Sequence, residues 1–118
     1  MTSTKIEKIT HKGKDIFFVE FHGGIEEFRK TMQRQRELLA KVEGKQLFLN
    51  DATDLNVNKQ IVREAINHSQ QIKDKAKKGA IYGLKPMVKP MVNTLALVTD
   101  IDYKVFDTRE EALEWLVS

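Results

Sequence analysis

The sequence predicts an α/β domain: a single-layer mixed, mostly parallel sheet covered by helices, in the order β-β-α-β-α-β-α-β-α. Two β-prone runs, Ile6 to His11 and Ile16 to Phe21, flank a glycine-bearing polar turn near the start. Beyond them, short apolar runs alternate with stretches whose apolar residues recur at steps of three and four. Such alternation implies parallel pairing through right-handed crossovers, with the first strand added antiparallel by the hairpin. The 118 residues match the common size of one domain, so a single unit is expected over residues 1–118.

The hairpin turn is Lys12-Gly13-Lys14-Asp15, and His22-Gly23-Gly24 stops the second strand. From Ile25 the period changes. Ile25, Phe28, Met32, Leu39 and Val42 mark one face of a helix ending near Gly44, with Gln35 as a polar interruption. Gln46-Leu47-Phe48-Leu49 reads as a buried strand opening into a polar stretch from Asn50 to Asn58. Asn56 or Asn58 can cap the next helix, since an amide oxygen there accepts free N–H groups of the first turn. Ile61, Val62, Ala65, Ile66, Ser69, Ile72 and Ala76 form that helix's inner face. Lys73, Lys75, Lys77 and Lys78 are expected in its last turns, offsetting the helix dipole.

Ala80-Ile81-Tyr82, bounded by Gly79 and Gly83, predicts a third buried strand. The helix after it starts at Pro86 or Pro90, with a tight or irregular first turn if both fall inside. Met91, Val92, Leu95 and Val98 continue its buried stripe. Lys104-Val105-Phe106 is a last short strand. In Thr108-Arg109-Glu110-Glu111 the hydroxyl of Thr108 can accept the Glu111 N–H while Glu111 reaches back, a capping box. Ala112, Leu113, Trp115 and Leu116 supply the closing helix's apolar face.

Composition narrows the functional classes. The sequence contains no cysteine, which removes thiol chemistry and disulfides and fits a reducing, cytoplasmic setting. No apolar run approaches the roughly 20 residues of a membrane span, and Met1 to Lys5 lacks a secretory pattern. The formal charge of +3 is weak support for nucleic acid, and the lysines from Lys73 to Lys89 have one aromatic residue, Tyr82, among them. Neither nucleic acid nor an integral membrane segment is expected.

Catalytic constellations fare no better. His11, His22 and His68 lie in distant segments without metal-ligand spacing, and are read as surface or turn residues. Asp54-x-Asn56-x-Asn58 imitates the opening of a calcium loop, yet Lys59 and Ala65 stand where glycine and glutamate belong. The serines, Ser3, Ser69 and Ser118, have no adjacent base or Gly-x-Ser-x-Gly elbow. Neither a metal nor another cofactor is expected. The best site candidates rest on location. Asp51 and Asp54 follow the central strand and Tyr82 ends its neighbour, where ligand sites of α/β sheets gather.

The segments Lys77-Lys78-Gly79-Ala80-Ile81-Tyr82-Gly83 and Lys104-Val105-Phe106-Asp107-Thr108-Arg109-Glu110-Glu111-Ala112-Leu113-Glu114-Trp115-Leu116 resemble the SpoIIAA-like branch of the STAS domains. Gly13-Lys14-Asp15-Ile16 and Leu47-Phe48-Leu49-Asn50-Asp51 extend the resemblance through the chain. It implies a regulatory or protein-interaction module, with a protein partner or a second copy of itself. Anti-sigma-factor antagonists of this family are switched by phosphorylation of a serine at the start of the helix after the central strand. The matching stretch, Asp54 to Lys59, has Asn56 and Asn58 instead, and Thr53 lies ahead of the expected position. The branch is also similar to lipid-carrying CRAL-TRIO domains, which implies a carrier or sensor of a small apolar ligand. Met87, Val88, Met91 and Val92 of the third helix are the expected lining.

The closing cap gives a direct check on this reading. Thr108→Ala is expected to cost about 1 kcal/mol of stability, seen as a lowered melting temperature.

Overall fold

The computed structural model describes residues 5–118; Met1 to Thr4, read above for the absence of a secretory pattern, lie outside the described residues. The strands are β1 (Lys5–His11), β2 (Lys14–Gly23), β3 (Gln46–Leu55), β4 (Ala76–Tyr82) and β5 (Asp102–Phe106). The helices are α1 (Ile25–Leu39), α2 (Lys59–Ile72), α3 (Lys89–Val98) and α4 (Arg109–Val117). Strands stand in the order β1-β2-β3-β4-β5. β1 pairs antiparallel with β2, and every later pair is parallel. The expected class and order are therefore present.

Alternation along the strands divides the core between two faces. Ile16, Phe18, Leu49 and Ala80 face α4 and pack on Ala112 and Leu116. Their neighbours Phe17, Val19, Phe21, Phe48 and Ile81 point the other way, beneath α1, α2 and α3. One helix covers the first face and three cover the second.

Local chemistry explains the helix starts. Gly23 adopts a left-handed φ of 71° between β2 and α1. Just after it, the Glu27 carboxylate accepts the Gly24 N–H at 3.1 Å. Asn58, one of the two expected caps, accepts the Ile61 N–H at 2.9 Å. Pro86–Val88 forms a 3-10 turn that leads directly into α3, the irregular first turn expected from two prolines one turn apart. At α4 the Thr108 hydroxyl accepts the Glu111 N–H at 3.2 Å. The return arm of that box differs from expectation: Glu111 accepts from the Thr108 hydroxyl at 3.0 Å.

Several boundaries move. The polar stretch after Leu49 is not all loop, because β3 continues through Asp51, Thr53 and Asp54 to Leu55. Pairing to β2 on one side and β4 on the other holds those polar residues in extended form. α2 ends at Ile72 rather than carrying Ala76 on its face; a 3-10 turn over Lys73–Lys75 follows, and Ala76 opens β4. Lys77 and Lys78 thus lie on a strand and do not complement a helix dipole. Lys78 instead stands over the Trp115 ring at 4.8 Å and donates to the Trp115 carbonyl at 3.0 Å. Val98, placed on the buried stripe, is 52% exposed because α3 ends there and its inner face is carried by Val92 and Leu95.

Gly79 lies inside β4, not at its boundary. A Cβ there would sit 2.4 Å from Cε1 of Tyr103, whose ring crosses the strand on that face. Gly79→Ala is therefore expected to destabilise the fold by about 1–3 kcal/mol through overpacking, read as a drop in the midpoint of urea unfolding.

Candidate functional site

Parallel strands bring the ends of β2, β3, β4 and β5 to one edge of the sheet, and the candidate residues divide there into two groups. The first lies on the α4 side. Asp51 and Tyr82 are register partners in β3 and β4. A bulge lets Glu20 pair with Asp51 and His22 with Asp54, which keeps both aspartates on one face. Their carboxylates nonetheless have separate partners. Asp51 Oδ1 accepts the Thr53 N–H at 2.9 Å and the Thr53 hydroxyl at 2.6 Å. Asp54 lies 3.7 Å from His22 Nδ1, and His22 Nε2 is 2.7 Å from Glu20. Arg109 donates to the Tyr82 hydroxyl at 3.5 Å. Burial raises the Tyr82 phenol above its ordinary pKa, Arg109 opposes the rise and nearby Asp51 adds to it. Among the described residues no cluster of three His, Asp or Glu side chains is arranged to hold a metal.

The second group borders a groove of ≈ 240 Å³ between the β3–α2 and β4–α3 connections, where Thr53, Asn56 and Asn58 face Gly83, Lys85 and Val88. Gly83 has a φ of 88°, and a Cβ on it would meet the Thr53 backbone nitrogen at 2.8 Å. Only glycine allows this approach. Of the third-helix residues expected to line a pocket, Val88 lines this groove and Val92 lines the interior cavity. Met91 is half-buried, and Met87 is 89% exposed on the 3-10 turn.

A further space, largely apolar in its lining, was not marked by any single motif. A cavity of ≈ 80 Å³ lies between the sheet and α1, α2 and α3, walled mainly by apolar side chains such as Phe21, Phe28, Phe48, Ile61 and Leu95. Gln35, Asn50, His68, Ser69 and Tyr103 are its polar lining. Each is paired: Ser69 and Tyr103 hydroxyls lie 2.7 Å apart, and Asn50 Nδ2 donates to the Ala80 carbonyl at 3.2 Å. Burial raises the Tyr103 phenol, with the Ser69 contact opposing it.

His68 corrects the sequence reading. It is not a surface or turn residue but a helix residue 6% exposed, wedged between α2 and α1. Its Nε2–H donates to Gln35 Oε1, and Arg36 donates to its Nδ1 at 3.0 Å. That network requires the neutral ring with the proton on Nε2. The signal for it was the polar break at Gln35 in an otherwise apolar stripe. A buried amide needs a partner, and α2 supplies one.

Desolvation first, and the Arg36 charge second, lower the His68 pKa from 6.5 to about 3. The unfolded chain therefore binds the extra proton between these values. The stabilising contribution is complete above about pH 6.5 and is lost as pH falls toward 3. Between about pH 7.5 and about pH 5 the protein is expected to lose on the order of 1–2 kcal/mol more urea stability than His68→Gln. An NMR titration of the imidazole should show it neutral through that range.

Among curated proteins, none matches this sequence. Two solved structures share its fold over 98% of the chain, each with a TM-score of 0.70. One is an uncharacterised protein of the DUF3478 family with a SpoIIAA-like fold from Shewanella loihica, 18% identical and covered over 98% of its own length. The other is a serine-to-glutamate variant of RsbS from Moorella thermoacetica, 16% identical and covered over 96%. The family described as SpoIIAA-like matches residues 16–117, from the second strand through the closing helix. With that span and this sheet order, the chain belongs to the SpoIIAA-like family.

Proposed function

We propose that this domain is a non-enzymatic regulatory module that senses or carries a small apolar molecule. The observation that carries the reading is the cavity beneath α1, α2 and α3, lined mainly by apolar side chains with a few oriented polar groups. Such lining is typical of small-molecule sites. Membership of the SpoIIAA-like family supports a regulatory role. Asp51 and Asp54 do not act as an acid–base pair in this reading, because each is engaged with a different neighbour. Asn58, a helix cap without a phosphorylatable hydroxyl, supports a module switched by ligand rather than by phosphate at that place. The lack of cysteine supports a cytoplasmic setting. No helix among the described residues is long and apolar enough to cross a membrane.

A second reading, the recognition of a protein partner or a second copy, is favoured by apolar side chains on and before α3. Met87, Leu97 and Val98 are 89%, 83% and 52% exposed. Apolar groups left in water near a short helix suit a contact with another chain.

Native mass spectrometry of gently purified protein separates the two. Bound small molecule appears as added mass that vanishes on denaturation. Ala65→Leu, which fills the cavity wall on α2, is expected to abolish that mass without lowering the melting temperature. Protein free of added mass, whose melting temperature does not respond to apolar probes, moves the partner reading to first place.

A further inference from the structure

We propose that the outer face of α3 is the contact between two copies of this chain, packed antiparallel about a twofold axis. The inference rests on the second reading above, recognition through the apolar side chains on and before α3, and names the occupant.

α3 breaks the pattern of the other helices. Exposed positions of α1, α2 and α4 carry charge, among them Lys30, Arg34, Arg63, Glu110 and Glu114. From Pro90 to Thr99 the chain has no charged residue, although only Val92 and Leu95 of α3 are buried. Met87, Pro90, Thr94 and Leu97 recur at steps of three and four, and all four are exposed. That spacing lays them in one stripe along the 3-10 turn and α3, as in a helix seam that packs on a second helix. α3 stands against α2 and the edge strand β5, and the exposure of the stripe shows that nothing among the described residues covers it.

The charges at the two ends of the stripe select the occupant. Lys85 precedes the 3-10 turn, is exposed, and has no ion pair among the described residues. At the other end Asp100 follows α3, its side chain 83% exposed and in loose contact with Lys73 at 3.7 Å. Such a contact between exposed groups is weak and easily exchanged. A stripe with a cation at one end, an acid at the other and apolar groups between complements itself under a twofold rotation. Antiparallel pairing sets Met87 of one copy against Leu97 of the other and Lys85 beside Asp100, twice per dimer. A lipid surface matches less well, because an acid at one end of the stripe is repelled by anionic head groups. An interface made by one short helix face is small, so the expected dissociation constant is about 10–100 µM.

Sedimentation equilibrium of the whole chain between about 5 and about 500 µM brackets that constant. The wild type is expected in monomer–dimer equilibrium. Leu97→Lys is expected to weaken the dimer about tenfold or more at an unchanged melting temperature. Lys85→Asp and Asp100→Lys each set like charges together at both contacts, and each is expected to weaken self-association about fivefold. Mixed in equal amounts, these two variants restore opposite charges at both contacts, and a mixed dimer of wild-type affinity is expected. Failure of the mixture to recover overturns the antiparallel twofold arrangement. A wild type that stays monomeric throughout overturns the second-copy assignment and leaves the stripe to another occupant. That occupant is lipid if phosphatidylcholine vesicles then bind the wild type and not Leu97→Lys. A dimer untouched by Leu97→Lys overturns the assignment and the recognition reading of α3 together, since the copies then meet elsewhere.

Discussion

The structure depends on one constraint: its central strand must be buried on both faces. β3 pairs in parallel with β2 and β4, so neither of its edges is free, and Phe48 and Leu49 are buried on opposite sides. Parallel sheets require such double cover because their crossovers place helices over the faces. Here the cover is unequal. α4 closes one face with a compact set that includes Ala112 and Leu116. The other face is wider, and α1, α2 and α3 must meet above it. Their apolar clusters are distinct, built around Phe17 and Phe48, around Val19 and Phe28, and around Ile81 and Leu95. The cavity lies where these three clusters converge.

That junction also explains why polar groups sit inside. Asn50 and Tyr103 are strand residues whose alternation turns them toward the helices, and Gln35, His68 and Ser69 face them from α1 and α2. A buried polar group is costly without a partner. The fold answers with the Gln35–His68–Arg36 chain and the Ser69–Tyr103 pair. These contacts tie α1 to α2 and α2 to β5, so the helices above the cavity are fixed by hydrogen bonds as well as by packing. The same arrangement keeps the interior lining uncharged.

The sheet edge has a different character. The sequence points to Asp51, Asp54 and Tyr82 by location alone, because the ends of parallel strands are a fixed address in this architecture. The structure does bring them to one side, with Glu20, His22 and Arg109 added by register and by the start of α4. Thr53, Asn56 and Asn58 fall instead beside the neighbouring groove. Location was legible; pairing was not. Whether an aspartate faces a histidine or a threonine depends on a bulge, and the local pattern of β3 contains no sign of one. Similarly, the reach of β3 through Asn50 to Leu55 was hidden because polar residues in a strand look like loop until their cross-strand partners are known.

The sequence by itself determined the class, the order of elements and the caps, because these rest on interactions between near neighbours. Hydrophobic period separates strand from helix within a dozen residues, and Asn58 or Thr108 acts on an N–H three residues away. Only the tertiary structure decided where α2 stops, why Gly79 is glycine, and what His68 does. Each of those answers lies in a residue far along the chain: Ala76 paired to Gln46, Tyr103 laid across Gly79, and Gln35 reaching His68 from another helix. Packing of such distant partners is set by which faces the crossovers bring together, and the cavity exists because three of those faces do not quite close.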